Sequence, residues 1–337
     1  MEIIGKNADL VTLVEMRTMK RTGRGIIMPL YEAAVKAVGG RPLSLLAAEK
    51  LIERVKPSDH VFVMTGMGML PNMPFGETDG PLGVASIARG VRYGLGGLPI
   101  IITETRDTVP VHQTVKAAGL NVLDYKEAKD TNQGAAAAVP FLHKDAEQSK
   151  KFAVKLIEEY APKAVIAIEM LGPNKKGTKH WSSGIAAEKS DKTLGLEHIF
   201  YEANARGILT IACIDQGNEM GSGTIAETIN KVVPYGEVCR CPCQGGITCV
   251  VKSDIPFPAA ISNWAAYAIV AMVGLLLKKP SILQDDDMER RMLEACVAAG
   301  SVDGLAGGPL MSVDGVSLKV NQGVVNMLHT IVANALL

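Results

Sequence analysis

Two short acidic clusters are the clearest chemical signal in this 337-residue chain. In the first, Gly-Glu-Thr-Asp-Gly-Pro-Leu-Gly, Glu77 lies two residues before Asp79. In the second, Asp-Gln-Gly-Asn-Glu-Met-Gly, Asp215 lies four residues before Glu219. Each cluster follows an apolar run, and the glycines beside the acids allow the backbone to approach a ligand closely. Two such clusters in one chain indicate a site for a hard cation.

Two further acids occupy the same kind of position, because Glu104 and Glu169 each follow an apolar run typical of a buried strand. The carboxyl ends of parallel strands meet at one edge of a sheet, where open α/β folds bind ligands. Carboxylates gathered there repel one another, and a divalent cation would neutralise them. Oxygen ligands without a partnering histidine favour Mg²⁺ or Mn²⁺ over Zn²⁺. The alternative is that each acid only caps a helix or lies in its first turn.

The elements that must position these acids follow from alternating apolar and amphipathic runs. We predict strands at residues 61–65, 100–103, 164–168, 208–214 and 248–251. We predict helices at residues 42–55, 81–94, 111–118, 149–160, 196–206, 224–233, 259–277, 286–299 and 324–337. Pro81 suits the first position of a helix, and Thr224 with Glu227 predicts a capping box. The pattern predicts an α/β fold: a largely parallel or mixed sheet, flanked by helices on both faces, with the acidic site at the C-terminal strand edge.

The domain prediction is a single domain over residues 1–337, with residues 1–28 as a candidate N-terminal arm. Residues 172–195 form a candidate lid loop, and its first part, residues 172–184, contains three lysines and His180. Such a loop could close over an anionic substrate, and solvated loop charges are the alternative. The runs Gly-Met-Gly from Gly66 and Gly-Ser-Gly from Gly221 could offer backbone N–H groups to an anion.

The tetrapeptide Ser-Val-Asp-Gly occurs twice near the C-terminus, with its acid at Asp303 and again at Asp314. Asp-Gly is a strong turn signal, so two turns are one interpretation. The other is that one of these acids supplies a further carboxylate to the site. The turn is favoured for Asp314, and both interpretations stay open for Asp303.

Composition excludes several function classes. Lys and Arg total 35, as do Asp and Glu, and without a basic stripe neither nucleic acid nor an anionic membrane is an expected partner. The N-terminus lacks a signal-peptide profile, so we expect a cytoplasmic protein, with homo-oligomerisation left open. Residues 259–277 are long and apolar enough to suggest a membrane span, but they include Ser262, Asn263 and Tyr267. A buried core helix is the favoured interpretation.

Four of the six cysteines lie close together, at Cys239, Cys241, Cys243 and Cys249. Without a secretory signal, disulfides are disfavoured relative to metal ligands or inert thiols. Zinc ligand pairs are commonly two to four residues apart, so a gap of one residue is atypical. Free thiols are the default interpretation, and a bound metal stays an alternative.

Four motifs in this order resemble a known family. They are the two acidic clusters, Ser-Asn-Trp-x-x-Tyr from Ser262 and Ser-Val-Asp-Gly from Ser301. They resemble the C-terminal domain of D-glutamate cyclase over roughly residues 7–337, as a stand-alone version of that domain. The resemblance implies cyclisation of D-glutamate to 5-oxo-D-proline with loss of water. It also implies an acidic site formed by Glu77, Asp79, Asp215, Asn218 and Glu219.

The chain departs from the family pattern in several places. Glu169 follows Ala-Ile where the family has Ser-Ile, and the second acidic cluster has Gln216 in place of a glycine. The tryptophan motif lacks its following glycine, and the cysteine cluster lies outside the pattern. These departures preserve the acidic residues and affect what surrounds them.

We therefore expect Mn²⁺ or Mg²⁺ as cofactor and a small anionic molecule as substrate. A lyase that cyclises D-glutamate or a related small carboxylate is the first hypothesis, a metal-dependent phosphatase the second, and a non-catalytic metal-binding module the third. The predicted metal ligands are Glu77, Asp79, Asp215 and Glu219, and the predicted catalytic residues are Glu77, Asp79 and Glu169. The predicted substrate contacts are Thr65, Gly66, Glu104, Asn218, Ser262, Asn263 and Asp303.

Overall fold

Seven strands form one sheet in which each neighbouring pair is parallel. The structure is a computed structural model that describes residues 1–16, 25–68, 71–104, 107–131, 133–141, 145–187 and 195–337. The strands are β1 His60–Gly66, β2 Leu98–Thr103, β3 Asn121–Leu123, β4 Ala135–Ala138, β5 Ala164–Met170, β6 Leu209–Ile214 and β7 Ile255–Pro258. Their spatial order is β3-β4-β2-β1-β5-β6-β7.

Helices surround this sheet. They are α1 Glu2–Thr12, α2 Ile27–Ala37, α3 Leu43–Arg54, α4 Pro81–Arg89, α5 Thr108–Ala117, α6 Tyr125–Asp130, α7 Ala146–Tyr160, α8 Glu197–Ala205, α9 Ala226–Val232, α10 Ser262–Leu276, α11 Asp286–Ala298 and α12 Leu318–Leu336. A π-helical turn, Gly90–Leu95, extends α4. Two short antiparallel strands, β8 Ser312–Val313 and β9 Val316–Ser317, form a separate hairpin before α12.

Both faces of the sheet are buried, and alternation along β1 shows how. Val61 and Val63 belong to the core on the side of α3, α4 and α10, whereas Phe62 and Met64 belong to the core on the side of α7 and α8. Successive side chains of a strand point to opposite faces, so an all-apolar strand must be covered on both. The predicted α/β class with helices on both faces is confirmed.

The order in which successive strands are added to the sheet reverses at its middle, between β1 and β5. From β1 it continues to β2 on one side, while β5 lies on the other side and continues to β6. The connections after β1 and β5 therefore diverge, and they leave a crevice at the carboxyl ends of these neighbouring strands. This is the position at which parallel α/β sheets bind ligands.

Several sequence-based boundaries were wrong. The predicted strand at residues 248–251 is irregular backbone, and the seventh strand is β7. Its prolines, Pro256 and Pro258, argue against a central strand but are tolerated at a sheet edge. The alanines of β4 have weak strand propensity, so β4 was missed, as was the three-residue β3. Helices α1, α2 and α6 were also missed.

The predicted capping box was wrong as well. The Thr224 hydroxyl donates to the Ser253 carbonyl at 2.7 Å and accepts from the Ser253 N–H at 3.0 Å. Glu227 is exposed and pairs with Lys231. A tertiary contact has therefore replaced the local cap.

The N-terminal and apolar segments join the core. Helix α1 packs against α3, α10 and α12, and residues 17–24 of the candidate arm lie outside the described residues. Helix α10 is buried along its length, as the core-helix interpretation requires. In the described part of the chain, no helix combines the length and apolarity needed to cross a membrane.

Candidate active site

Two helix N-termini meet at the carboxyl edge of the sheet, and each is capped by the other's residues. The Asp79 carboxylate, just before α4, accepts hydrogen bonds from the backbone N–H groups of Ser262 and Asn263 at the start of α10, both at 2.9 Å. In return, Asn263 Oδ1 accepts from the N–H groups of Gly80 at 2.9 Å and Gly83 at 2.7 Å. Helix N-termini leave such donors unpaired, so this exchange stabilises both helices and fixes the Asp79 carboxylate.

A first group of three carboxylates forms around Asp79. Oxygens of Asp79, Asp215 and Asp314 all lie within 4.8 Å of one another, and all three residues are buried. Asp314 lies in the turn between β8 and β9, where its φ of 51° and the 75° of Gly315 are both positive. Such a turn suits an Asp-Gly pair in a two-residue hairpin. The predicted turn is confirmed, and it also places the Asp314 carboxylate in the site.

A second group shares Asp215. Oxygens of Glu169, Asp215 and Glu219 lie within 4.8 Å of one another. The Glu219 carboxylate folds back onto its own loop and accepts from the N–H groups of Gln216 at 2.8 Å and Gly217 at 2.7 Å. Glu169 has a positive φ of 45°, which a non-glycine residue adopts at a cost. Asp215 thus links two groups of carboxylates in one buried site.

Electrostatics make this site a strong acceptor of positive charge. Burial, followed by the charges of Asp215, Glu219, Asp79 and Glu77, raises the pKa of Glu169 well above its ordinary value. Burial and the Asp215 charge likewise raise the pKa of Glu219. Carboxylates this close cannot all ionise in a buried site without a neutralising charge. Protons or a cation must therefore accompany them.

Glu77 belongs to neither group of three, and it lines a small adjoining pocket together with Asp79. Its carboxylate packs against Gly304, where a Cβ atom would collide with Glu77 Oε2. Asp107, at the position just before α5, lies against Gly76 in the same way and was missed by the sequence analysis. Asp107 follows β2 as Asp79 follows β1, so the strand-exit argument could have found it. The pocket is lined by Thr65, Gly66, Met67, Phe75, Gly76, Glu77, Asp79, Pro81 and Asp107.

Asp303 has a structural position. Its carboxylate accepts from the N–H groups of Leu305 at 2.9 Å, Ala306 at 2.8 Å and Gly315 at 2.8 Å, and from the Ser312 hydroxyl. These bonds hold the loop before β8 against the turn that carries Asp314. Asp303 therefore affects the site indirectly, by holding the turn that carries Asp314 in position.

The remaining predicted substrate contacts surround the acids. The Ser262 hydroxyl donates to Glu169 Oε2 at 2.6 Å, and the Thr65 hydroxyl donates to the Glu169 carbonyl at 3.4 Å. Asn218 donates its amide to the His180 carbonyl at 2.9 Å. Within the described part of the chain, no hydrogen-bond partner reaches Asn218 Oδ1 or Gln216 Oε1, although both atoms are buried. Two oxygens are thus available to a ligand.

Glu104 lies towards the candidate lid. Burial raises its pKa to about 7, and the charge of Lys179 opposes that rise. Lys179 is itself buried and forms an ion pair of 3.0 Å with Glu197. Lys175 and Lys176 are exposed, and residues 188–194 of the candidate lid lie outside the described residues.

Comparison with known proteins decides the family. The family model described as "D-glutamate cyclase-like, C-terminal" matches residues 32–329. The chain belongs to this family. It is also 26% identical over 239 residues to the human protein named "D-glutamate cyclase, mitochondrial", an alignment that covers 69% of this chain. The chain spans only 36% of the length of that relative. The resemblance seen in the sequence motifs is confirmed at the level of family.

The donor set of this D-glutamate cyclase-like chain fits a hard divalent cation. Asp79, Asp215 and Asp314 offer only oxygen, from three separate segments. Oxygens about 2.0–2.1 Å from an octahedral Mg²⁺ lie roughly 3–4 Å from one another. The carboxylate oxygens of the three aspartates are at most 4.8 Å apart, so small movements of the side chains would bring them to these distances. The unpaired oxygens of Asn218 and Gln216 lie in the same loop as Asp215 and are candidates to bind substrate. The structure thus adds Asp314 to the predicted ligands and places Glu77 beside them.

Proposed function

We propose that this chain is a divalent-metal-dependent enzyme that cyclises D-glutamate, or a related small carboxylate, with loss of water. Family membership supports the proposal, and so does the chemistry of the site. For D-glutamate the product would be 5-oxo-D-proline.

The observation that carries the proposal is the double role of Asp215. On one side its carboxylate groups with Asp79 and Asp314, and on the other it groups with Glu169 and Glu219. Asp79, Asp215 and Asp314 would hold Mn²⁺ or Mg²⁺. When bound, such an ion would offset the repulsion between carboxylates and polarise a substrate carboxyl group. Glu169 would handle protons at the adjoining position.

The proposed reaction needs no second substrate. The amine nitrogen of the substrate forms a bond with its side-chain carboxyl carbon, and one C–O bond of that carboxyl breaks. The ammonium group gives up two protons, and the departing oxygen leaves with both of them as water. The raised pKa of Glu169 suits it to take a proton from nitrogen and deliver it to oxygen. The hydrogen bond from Ser262 holds Glu169 in position.

Phosphate-ester hydrolysis would need positively charged side chains beside the same carboxylates to bind the phosphate group. The loop lysine that is buried, Lys179, is already paired with Glu197. Lys175 and Lys176 are exposed. Because the described lysines of the candidate lid do not supply that site, cyclisation is better supported than hydrolysis.

The test is to incubate the purified protein with Mn²⁺ or Mg²⁺ and D-glutamate and to measure 5-oxoproline by chromatography and mass spectrometry. L-Glutamate tests stereochemistry, and a generic phosphate ester tests hydrolysis. Asp215→Asn should abolish the activity. The matched control is Asp254→Asn, because Asp254 lies before β7 at the opposite end of the sheet and accepts from the Thr210 N–H at 2.8 Å. Asparagine can still accept that bond, so the control should retain full activity.

The outcomes separate the hypotheses. Chelator-sensitive 5-oxoproline formation that Asp215→Asn removes supports the proposal. Metal-dependent phosphate release without cyclisation overturns it in favour of a hydrolase. If neither product forms, but metal raises the melting temperature of the wild type and not that of Asp215→Asn, the site is a binding module and the proposal fails.

A further inference from the structure

Four potential metal ligands meet where the candidate lid contacts residues 239–243, away from the acidic groups. One ligand, His180, belongs to the lid, and the other three are cysteines. His180 Nε2 lies 3.2 Å from Cys241 Sγ and 3.5 Å from Cys243 Sγ. Cys239 Sγ lies 3.4 Å from the Sγ atoms of both Cys241 and Cys243. All four ligand atoms lie within 4.8 Å of one another. Three sulfurs and one imidazole nitrogen thus lie close enough together to bind a single ion.

These spacings fit one tetrahedral zinc ion. With Zn–S bonds of about 2.3 Å and Zn–N bonds of about 2.0–2.1 Å, ligand atoms in a tetrahedron lie about 3.5–3.8 Å apart. The observed separations are a few tenths of an ångström shorter, and a bound ion would widen them slightly. A disulfide would require two sulfurs about 2.05 Å apart, far closer than the 3.4 Å seen here.

Surrounding groups orient the ligands as they do in protein zinc sites. His180 Nδ1 lies 3.1 Å from the Thr178 carbonyl, which favours a proton on Nδ1 and leaves Nε2 as the donor atom. The Gly245 N–H at 3.4 Å and the Asn174 amide at 3.5 Å both donate to Cys243 Sγ. Such bonds stabilise a thiolate, which is the form that binds metal.

Burial indicates a structural ion rather than a catalytic one. His180 is 0% exposed, Cys239 3% and Cys241 8%, and Cys243 is partly buried, so four protein ligands would surround the ion. Structural zinc sites are closed in this way, whereas catalytic sites keep one position for water. We propose that His180, Cys239, Cys241 and Cys243 bind one structural Zn²⁺ that fastens the lid loop to the segment around Cys241.

The ion would also steady the acidic site. The backbone carbonyl of His180 accepts the Asn218 amide, and Asn218 belongs to the loop that carries Asp215 and Glu219. Fixing His180 therefore fixes a neighbour of the proposed catalytic residues. The site differs from the four-cysteine metal site that the sequence left as an alternative to free thiols, because Cys249 lies elsewhere. Its buried thiol accepts from the Val251 N–H at 3.3 Å.

The test begins with zinc content. The protein is purified without a metal-binding tag and dialysed against metal-free buffer. It should then contain one zinc per chain, as measured by inductively coupled plasma mass spectrometry. Cys249→Ser is the matched control and should retain the zinc, whereas Cys241→Ser should lose it. Zinc-free wild type with reduced thiols overturns the proposal.

Cobalt keeps the proposal testable if Cys241→Ser does not fold. Wild-type protein stripped of metal and reconstituted with Co²⁺ should show the intense thiolate-to-cobalt charge-transfer bands of a tetrahedral site. The same bands should appear in Cys249→Ser and in Asp215→Asn. Cobalt bound only through oxygen at the acidic site gives weak bands without charge transfer. If the wild-type protein shows only these weak bands, the proposed zinc site is refuted.

Discussion

Replacing Glu289 by glutamine should change how the stability of this protein depends on pH. Glu289 lies on α11 at 0% exposure, and the Tyr267 hydroxyl donates to its Oε1 atom at 3.0 Å. Burial raises its pKa from 4.5 to about 7, although the bond from Tyr267 opposes the rise. Below pH 4.5 the group is protonated in folded and unfolded chains alike. As the pH rises from the unfolded pKa of 4.5 to the folded pKa of about 7, only the unfolded chain ionises, and stability is lost over this range.

The size of this loss follows from the two pKa values. At 1.36 kcal/mol per pH unit, a pKa of about 7 against 4.5 costs about 3 kcal/mol at pH 8 and less than about 1 kcal/mol at pH 5. Glutamine does not ionise, and its side-chain oxygen can still accept from Tyr267. Burying the new NH₂ group has a cost, but that cost is the same at every pH. The diagnostic quantity is therefore the variant-minus-wild-type difference, which should rise by about 2–3 kcal/mol between pH 5 and pH 8.

Urea unfolding followed by tryptophan fluorescence, with chelator present, measures this difference. Acids elsewhere, such as Glu169, titrate in both proteins and cancel. Glu294→Gln is the control on the same helix, since Glu294 is 48% exposed and its ion pair with Arg290 contributes less than about 1 kcal/mol. If Glu289→Gln differs from the wild type by the same amount at both pH values, Glu289 ionises normally and the reasoning fails.

Three further predictions concern the acidic site. Gly304→Ala would place a Cβ atom 1.7 Å from Glu77 Oε2, and to reach 3.0 Å the carboxylate must retreat by 1.3 Å. We expect an activity loss of about 10²-fold in steady-state kinetics. The control is Gly308→Ala, whose Cβ would meet nothing closer than 3.8 Å, and it should keep the wild-type rate. If both variants have equal rates, the position of Glu77 does not matter for the reaction. Glu169→Gln should lower kcat by about 10²- to 10⁴-fold and remove the rise of the rate that accompanies ionisation of Glu169, since the carboxylate must be ionised to take the proton; an unchanged pH–rate profile would count against its proton role. Asp314→Asn keeps a residue suited to the turn but should weaken Mn²⁺ binding by at least about 10-fold in calorimetry, so an unaltered Kd would exclude Asp314 as a ligand.

The sequence predicted what local pattern controls. Long apolar strands such as β1 and β5 were clear because a strand buried on both faces must be apolar throughout. Asp79, which follows β1, and Glu169, next to the last residue of β5, were therefore placed correctly at the carboxyl edge. Glu77 was grouped with Asp79 because they are near neighbours in sequence. The backbone between them turns, and Glu77 faces Gly304 instead.

What escaped prediction depends on distant parts of the chain. Asp314 enters the site from a hairpin near the C-terminus, and a turn signal alone does not say where the turn packs. His180 joins Cys239, Cys241 and Cys243 across some sixty residues, so the spacing of the cysteines alone argued for nothing. Both cases are tertiary contacts between loops, and no periodicity encodes such contacts.

The two proposed metal sites are chemically distinct yet share a backbone connection. Sulfur and imidazole donors select a softer ion such as Zn²⁺, whereas the carboxylates around Asp215 select Mg²⁺ or Mn²⁺. The Asn218 amide, bonded to the His180 carbonyl, joins the two loops that carry them. Zinc loss would free the His180 loop, and the Asn218 amide would lose the carbonyl that accepts its hydrogen bond. The cysteine cluster would then act on catalysis by positioning Asn218, a residue of the second acidic cluster.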